Sequence, residues 1–278
     1  AGASTSFDEI DLDDFNYEAI PTCFSVNNIL ASAISTTEIE VNWTPSTQTT
    51  ATDFVIEYGP AGFTPGMGDS LITQNMNADT ITGLMSGTSY EVYVSAVCGV
   101  GDTSFVEGPT TATTYFIAPY FEDFEGLSST IEGGAFGNGW VDVSSTIFDW
   151  HSNTGSTGSS NTGPNGDHTT GSGIYVYSEA SNGSTGDTAI LESPFVDISS
   201  LNNPYLSFWY HRHGADYLTG YIDIWDGSSW TTIDSIVGET QTAESDPYLE
   251  RELDLSSYSG DVKFRFWHIK DGFGADWA

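Results

Sequence analysis

The sequence predicts an all-β protein with two sandwich domains. Helical periodicity is nearly absent, whereas short runs of alternating apolar and polar residues recur between clusters of Gly, Asn, Asp, Ser and Thr. Aromatic residues make up 14% of the chain, which is enough buryable surface to exclude a disordered acidic chain. Because 278 residues exceed what one β-sandwich usually needs, we expect two domains with separate cores.

The excess of acidic over basic residues limits the classes of partner that the chain can bind. The chain carries 39 Asp and Glu residues against 5 Lys and Arg residues, a formal net charge of −34. A protein that binds nucleic acid needs a basic surface, so nucleic acid is excluded, and anionic membrane surfaces are disfavoured for the same reason. No apolar run approaches the roughly 18 to 20 residues of a membrane helix, so we expect no membrane span. The charge favours an extracellular medium in which salt or calcium screens it.

The first domain shows the alternation most clearly. Three segments have an apolar residue at every second position, which is typical of half-buried strands: EIEVNW, TDFVIEYG and SYEVYVSAVC. A turn, TGLMSGT, precedes the third segment and lets Leu84 enter the core while Tyr90 begins the next strand.

The two cysteines, Cys23 and Cys98, bracket a segment of about domain size. A disulfide between them would contribute about 4 kcal/mol in the chain-entropy model if the compartment is oxidising. Two unrelated buried thiols are the alternative. Neither cysteine belongs to a cluster with the spacing of a zinc site.

Several of these features resemble a fibronectin type III domain over residues 21–115. They are the Trp43 strand, the turn Leu84-x-x-Gly87-Thr88-x-Tyr90 and the pattern Tyr-x-Val-x-Val-x-Ala. The resemblance implies an immunoglobulin-like sandwich in which the Tyr90 hydroxyl ties down the turn. It also implies that a Cys23–Cys98 bond joins the start of the first strand to the end of the sixth. EYGPAGFTPGMG and AVCGVGDTS are similar to versions in secreted proteins of Bacteroidetes.

A second set of signatures follows from Pro119 onward. In order, they are PYFEDFEG, GW, FDW, TGPNGDHTTGSGIYVY, GDTAILESPFVDIS, NPYLSFWYHRHG, YIDIWDGSSW and DVKFRFWHIKDGFGADWA. This order resembles a MAM domain over residues 116–278, which implies a jelly-roll sandwich of two antiparallel sheets. The disulfides common in animal members are missing, because the segment has no Cys. Such domains usually end with an acidic-apolar strand that continues beyond GADWA, so we expect the final strand to be lacking.

Residues 1–20 resemble that lacking strand. FDEIDLDDF places apolar Phe7, Ile10, Leu12 and Phe15 among acids, and Glu9 to Leu12 correspond to Asp276 and the residues that follow it. Two arrangements would explain this. The chain is one period of a tandem array, or it is a subunit whose N-terminal strand completes a neighbour's sandwich by strand addition. An acidic linker is the third interpretation.

Calcium is the ion that the MAM resemblance implies, at a site near one end of the sandwich. Carried over to this sequence, the ligands are Glu125, Asp167 and Asp276, with Asp123 and Asp149 as further ligands. Calcium prefers the hard oxygen ligands that these acid-rich loops supply. The alternative is that Asp167 caps its own Gly-rich loop through hydrogen bonds to the backbone.

Two histidines and two tryptophans are weaker candidates for a functional site. His211 and His213 lie two apart, so on a strand both would face the same way and could share a metal; a packing role for His211 is the alternative. Signatures of hydrolases, metalloproteases and nucleotide-binding enzymes are absent from the sequence. Trp225 and Trp230 flank the DGSS hairpin, where one exposed ring would stack on a sugar.

The sequence therefore predicts a non-catalytic, extracellular adhesion or structural module of a cell-surface adhesin or filament. Calcium would stabilise it, and its partners would be neighbouring copies or repeats of itself, together with cell-surface glycans or proteins. The alternative function is an accessory region of a secreted protease or glycoside hydrolase, which tethers the enzyme or binds carbohydrate.

Overall fold

The computed structural model describes residues 22–128, 130–179, 181–214, 219–271 and 275–278. Every regular element in these ranges is a β-strand, as the alternating patterns predict. Eight strands form the first domain: β1 (Asn27–Ala33), β2 (Glu38–Thr44), β3 (Asp53–Pro60), β4 (Asp69–Thr73), β5 (Ala78–Thr82), β6 (Ser89–Gly99), β7 (Asp102–Thr103) and β8 (Glu107–Thr113).

These strands form two antiparallel sheets around one core. One sheet has the order β1–β2–β5, and the other has the order β4–β3–β6–β7 with β8 also paired to β6. The residues that the alternation predicts to face inward are buried, among them Val41 and Trp43 from one sheet and Phe54 and Val92 from the other. The Met85 N–H donates a hydrogen bond of 3.0 Å to the Tyr90 hydroxyl oxygen, so the predicted tyrosine corner is present.

A short junction joins the domains. The Tyr115 N–H donates to the Ser35 carbonyl, the Gly87 N–H donates to the Tyr115 carbonyl, and the Tyr115 ring stacks on Phe195 of the second domain. Gly87 has a φ of 58°, and a Cβ at this position would lie 2.7 Å from the Phe116 ring. The turn of the first domain therefore packs closely on the first residue of the second, an approach that requires glycine.

Within the described part of the second domain there are fourteen strands. They are β9 (Phe116–Ile117), β10 (Ala135–Gly137), β11 (Trp140–Asp142), β12 (Trp150–Thr154), β13 (Ile174–Ser178), β14 (Thr188–Glu192), β15 (Val196–Asp197), β16 (Tyr205–Tyr210), β17 (Arg212–Gly214), β18 (Thr219–Trp225), β19 (Trp230–Val237), β20 (Leu249–Asp254), β21 (Asp261–Ile269) and β22 (Ala275–Trp277).

The larger sheet of this domain runs β10–β11–β14–β21–β15–β9, and β18 pairs with β21 and β19. The opposite layer has two parts, β12–β13–β22–β17 and the pair β16–β20, which are joined because β16 leads directly into β17. Phe264 and Phe266 of the larger sheet share one core with Val176, Tyr210 and Trp277 of the opposite layer. The domain is thus a two-layer β-sandwich, consistent with the jelly roll that the sequence predicts.

Candidate functional site

The layer that contains β22 has a gap between strands β13 and β16, which we call the β13–β16 slot. At one end, β22 lies between β13 and β17, but it contacts β13 only through the pair Ser178 and Trp277. Beyond Trp277, the His211 N–H donates to the Ala278 carbonyl at 2.7 Å and the Ala278 N–H donates to the His211 carbonyl at 3.0 Å. Past Ala278, no described strand lies between β13 and β16. Where β22 lies between β13 and β17, these two strands are separated by two strand spacings, about 9 to 10 Å.

Among the described strands, none pairs with the slot side of β16, and only β22 pairs with the slot side of β13. On β13, alternate residues face the same edge, so Val176 lies on the slot side together with Ser178. On β16, the residues that share the edge of His211 are Trp209, Ser207 and Tyr205, while β20 occupies the opposite edge along all six residues. On the β13 edge Ser178 pairs with Trp277 and the Ile174 N–H donates to Glu125, so Val176 is the residue between these two contacts.

The floor of the slot is apolar. A cavity of about 720 Å³ lies between the two layers and is lined by strand residues of both edges and by the opposite sheet, including Leu191, Val196, Phe264 and Phe266. Protein interiors rarely keep voids larger than a water molecule. The cavity is therefore a space with mainly apolar walls that borders β13 and β16.

Glu125 and Asp167 lie at the far end of the slot. The Glu125 carboxylate accepts the N–H of Ile174, the first residue of β13, at 3.2 Å, and a Cβ on Gly173 would overlap this carboxylate. Asp167 accepts a hydrogen bond from the N–H of the same glycine. The loop before β13 is therefore held by one of its own acids, Asp167, and by Glu125 from an earlier segment.

Asp167 stabilises its own loop. Its carboxylate accepts the N–H groups of Thr169 and Thr170 at 2.8 and 2.7 Å and the Thr170 hydroxyl at 2.9 Å, in addition to the Gly173 N–H. Burial raises the pKa of Asp167, but these hydrogen bonds outweigh it and hold the pKa below its usual value. These contacts show the loop-capping role for Asp167 that the sequence analysis gave as the alternative to calcium binding.

The other three predicted calcium ligands lie in different surroundings. Asp123 accepts the Glu125 N–H at 3.1 Å, and Asp149 lies 2.7 Å from a ring nitrogen of His151. Asp276 is fully buried in β22 and accepts the Thr162 hydroxyl at 2.7 Å. Within the ranges given above, no group of three or more His, Cys, Asp or Glu side chains could hold a metal ion. Glu125 and Asp167 both contact Gly173, and calcium binding stays a prediction.

The two histidines of YHRHG do lie near each other, with ring centres 6.4 Å apart. His211 is completely buried beside Tyr248, and burial followed by the neighbouring His213 lowers the pKa of His211 to about 4. A ring nitrogen of His213 lies 2.9 Å from the Glu239 carboxylate. His211 is accordingly a neutral packed ring at neutral pH, the role that the sequence left open.

The tryptophans of the DGSS hairpin form a cross-strand pair. The ring centres of Trp225 and Trp230 are 5.7 Å apart, and both side chains are partly exposed. The Arg265 guanidinium lies 4.5 Å from the centre of the Trp230 ring and so covers part of it. Glycan contact at this pair stays a prediction.

Two further predictions, one on the first domain and one on the segment before it, differ in outcome. Cys23 and Cys98 form a disulfide with their Cα atoms 5.6 Å apart, so the predicted bond is confirmed. The predicted assembly strand, with Phe7, Ile10, Leu12 and Phe15, lies outside the described residues.

Sequence reasoning did not identify the slot edges at Val176, Ser207 and Trp209. Alternation shows which residues of a strand face a core, but an open edge depends on which strands pair in three dimensions. The one sequence signal was indirect, namely the expected lack of a strand after GADWA.

Comparison with known proteins identifies both domains. The MAM domain family (meprin/A5/mu) matches residues 130–275, and the fibronectin type III family matches residues 24–113. Human MAM domain-containing protein 2 is 33% identical over 108 residues, which cover 38% of this chain and 15% of that protein. Neuropilin-1a of Danio rerio is 39% identical over 84 residues, 30% of this chain and 9% of that protein. The chain therefore spans a small part of these relatives.

Solved fibronectin type III structures are also similar to this chain. The fn3 domain of human collagen alpha-1(XX) is 22% identical, with a TM-score of 0.31, and the match covers 36% of this chain and 92% of that one. The fn3 domain of human contactin 1 is 17% identical, with a TM-score of 0.30 over 43% of this chain and all of that one. Since the MAM match spans more than half of the 278 residues, the chain belongs to the MAM domain family and carries a fibronectin type III domain ahead of its MAM domain.

Proposed function

We propose that this chain is a non-catalytic adhesion or structural module of an extracellular adhesin or filament, in which copies or repeats join one another. Fibronectin type III and MAM domains are extracellular adhesion-type modules and typically non-catalytic. No helix in the described ranges could cross a membrane. The observation that carries the proposal is the succession of a fibronectin type III domain and a MAM domain in one chain.

The surroundings of the slot support an assembly role over catalysis. The acids at its far end accept hydrogen bonds from backbone N–H groups, an arrangement that stabilises loops. The buried His211 stays neutral at neutral pH and packs against Tyr248. A repeat protein of a Bacteroidetes-like cell surface, either in tandem or joined by strand exchange, is the context that we propose.

Bead clustering tests the proposed function. Beads that carry the full chain at one density should cluster with one another in 0.5 M NaCl, where the Debye length is about 4 Å and the net charge is screened. Beads coated with an unrelated acidic protein provide the control. If the chain-coated beads stay dispersed at every coating density, copies do not join and the proposal fails.

Calcium stabilisation is a separate proposal, supported by the approach of Glu125 and Asp167 to the same glycine. An ion here would share oxygen atoms that already accept hydrogen bonds, so we expect a small rise in melting temperature that grows with calcium concentration. Thermal melts in calcium and in chelator measure it, with magnesium as the matched control. An unchanged melting temperature across a wide range of calcium concentrations would show that calcium does not stabilise the chain.

Glycan binding in an accessory region of a secreted hydrolase is the second candidate. The partly exposed Trp225–Trp230 pair favours it, since sugars stack on aromatic faces. A glycan array probed with the full chain and with Trp225→Ala tests this candidate. Glycan binding by the wild-type chain that Trp225→Ala abolishes would support this candidate. If no glycan binds, the candidate fails and the assembly function is the one that remains.

A further inference from the structure

We propose that the outer face of strands β19, β18 and β21 binds a neutral glycan along a row of four aromatic rings and one arginine. We call these residues the aromatic ladder: Trp225, Trp230, Arg265, Trp267 and Tyr221. This inference rests on the glycan-binding candidate given above, and it adds the ligand class and the last three residues of the ladder to that site. It does not depend on whether copies of the chain join one another.

The ladder lies on the face of the larger sheet that points away from the core. Ile222 and Ile224 of β18 and Phe266 of β21 are buried in the core. Because side chains alternate along a strand, the ladder residues of β18 and β21 point outward. Trp230 of β19 pairs with Trp225, so it shares this face. All five side chains of the ladder are partly exposed and can therefore contact a ligand.

Each member of the ladder contacts the next. The ring centres of Trp225 and Trp230 are 5.7 Å apart. The Arg265 guanidinium lies 4.5 Å from the centre of the Trp230 ring and 5.8 Å from the centre of the Trp267 ring. The Tyr221 ring stacks on Trp267 at 4.4 Å, with the two ring planes 20° apart. The five side chains therefore form one continuous row.

Asp223 fixes the middle of the ladder. It is 2% exposed, and one of its carboxylate oxygens accepts the Arg265 Nε–H and the Trp267 Nε1–H, both at 2.8 Å. Its other oxygen is buried without a hydrogen-bond partner among the described residues. Such an unpaired oxygen costs free energy, and a role in positioning Arg265 and Trp267 gives the carboxylate a reason to be there. The β18–β19 register also shifts beside Asp223, as it does where a β-bulge redirects a side chain.

The size of the ladder favours an oligosaccharide over a protein partner. Tyr221 and Trp225 lie four residues apart on β18, which is about 13 Å, and β19 and β21 lie about 10 Å apart on either side of β18. This face is much smaller than the roughly 800 Å² that each partner buries in a specific protein interface. A sugar ring needs only one aromatic ring, because its C–H groups meet the negative face of the π system.

The charges on this face favour a neutral glycan. The face carries two of the chain's five Lys and Arg residues, and each is paired with an acid, Arg265 with Asp223 and Lys263 with Glu192. The face is therefore locally neutral, whereas the net charge of −34 on the whole chain repels anionic polysaccharides. A guanidinium has five N–H donors, so Arg265 can donate to sugar hydroxyl oxygens while it stays bound to Asp223.

Isothermal titration calorimetry tests the site with defined probes. The neutral probes are cellohexaose, xylohexaose and mannohexaose, and hexagalacturonic acid is the anionic probe. The full chain should bind at least one neutral probe with a Kd below about 1 mM. The Kd should be the same in about 0.05 M and 0.5 M NaCl, because neither the sugar nor the ladder face has a net charge.

Variants of the full chain locate the binding. Trp225→Ala should weaken binding about tenfold or more, whereas Trp225→Phe keeps a ring and should stay within about threefold of wild type. The matched control is Trp209→Ala, which removes a 44% exposed tryptophan from the opposite layer and should bind like wild type. Urea unfolding of each variant verifies that it is folded.

A second pair of variants tests the arginine. Arg265→Lys keeps the charge and loses the planar fork, so we expect binding to weaken about fivefold or more. Arg251→Lys is its control, because Arg251 pairs with Asp234 and does not belong to the ladder. Equal binding by these two variants would show that Arg265 does not contact the sugar.

Three results would overturn the proposal. They are no binding of any neutral probe, binding of hexagalacturonic acid alone, and equal binding by Trp225→Ala and Trp209→Ala. Bead clustering separates this proposal from the proposed function. Beads that carry Trp225→Ala should cluster as well as wild-type beads do; if they stay dispersed, the ladder joins copies and the glycan proposal is wrong. If wild-type beads stay dispersed while a neutral probe binds, the assembly function fails and the glycan site stands.

Discussion

At the scale of single residues, the Tyr90 hydroxyl shows how a sequence motif becomes a specific contact. Tyr90 begins β6, and its buried ring places the hydroxyl oxygen 3.0 Å from the Met85 N–H in the turn before the strand. The hydroxyl thus satisfies a backbone donor that the turn itself does not pair. The motif was readable from the sequence because the turn and the strand are adjacent in the chain.

Replacing Tyr90 with Phe should lower the free energy of unfolding of the first domain by about 1 to 1.5 kcal/mol, since the Met85 N–H loses its acceptor. Tyr93→Phe is the matched control, because the Tyr93 hydroxyl makes only a long contact, 3.5 Å, with the Glu91 side chain among the described residues. It should change stability by less than about 0.5 kcal/mol. Urea unfolding of both variants provides the comparison, and equal effects would contradict a specific role for the Tyr90 corner.

His268 is a buried titratable residue in the second domain. It is 4% exposed, and a ring nitrogen lies 2.7 Å from the Ser178 hydroxyl. Burial, followed by the positive charges of Arg212 and Lys270, lowers the pKa of His268 from 6.5 to about 3. Its sequence position showed none of this, because the nearby charges come from other strands.

The lowered pKa of His268 predicts a pH effect on stability. Below pH 6.5 the unfolded chain binds a proton at this ring, whereas the folded chain excludes it until about pH 3. The free energy of unfolding should therefore fall as the pH drops from 6.5 toward 3. Over this range the unfolded chain binds about one more proton at His268 than the folded chain does. Urea unfolding at pH 7, 6 and 5 should show a shallower pH dependence for His268→Gln than for wild type. An equal pH dependence of the free energy of unfolding in the two proteins would show that folding does not prevent protonation of the His268 ring.

At the scale of elements, the strands of the first domain were largely predictable. In β2, β3 and β6, local alternation gives both the strand and its buried face, because each strand has one face on the core. The strand edges of the slot were not predictable. Whether β13 has one neighbour or two depends on residues about a hundred positions away, and β16 reads as an ordinary strand in sequence.

The disulfide links two elements of the first domain and should stabilise that domain alone. It closes a loop of 75 residues, for which the chain-entropy model gives about 4 kcal/mol. Cys23→Ala with Cys98→Ala should therefore lower the urea midpoint of the first domain. The second domain, which has no cysteine, provides the internal control within the same sample. An unchanged midpoint for the first domain would contradict the assigned role.

At the scale of the whole molecule, the net charge of −34 governs how copies of the chain interact at a distance. At low ionic strength the like charges repel one another, and added salt screens the repulsion. The composition predicted this charge, because it follows from residue counts alone. The topology of the second domain could not be predicted from composition, since it depends on which strands pair in three dimensions.

The mass of the chain in solution tests the central claim, that copies join one another. Light scattering should give multiples of 29.9 kDa that rise with protein concentration in 0.5 M NaCl, and a mass near 29.9 kDa in 0.05 M NaCl, where repulsion between the acidic chains is less screened. A mass of 29.9 kDa at every concentration and salt condition would contradict the claim.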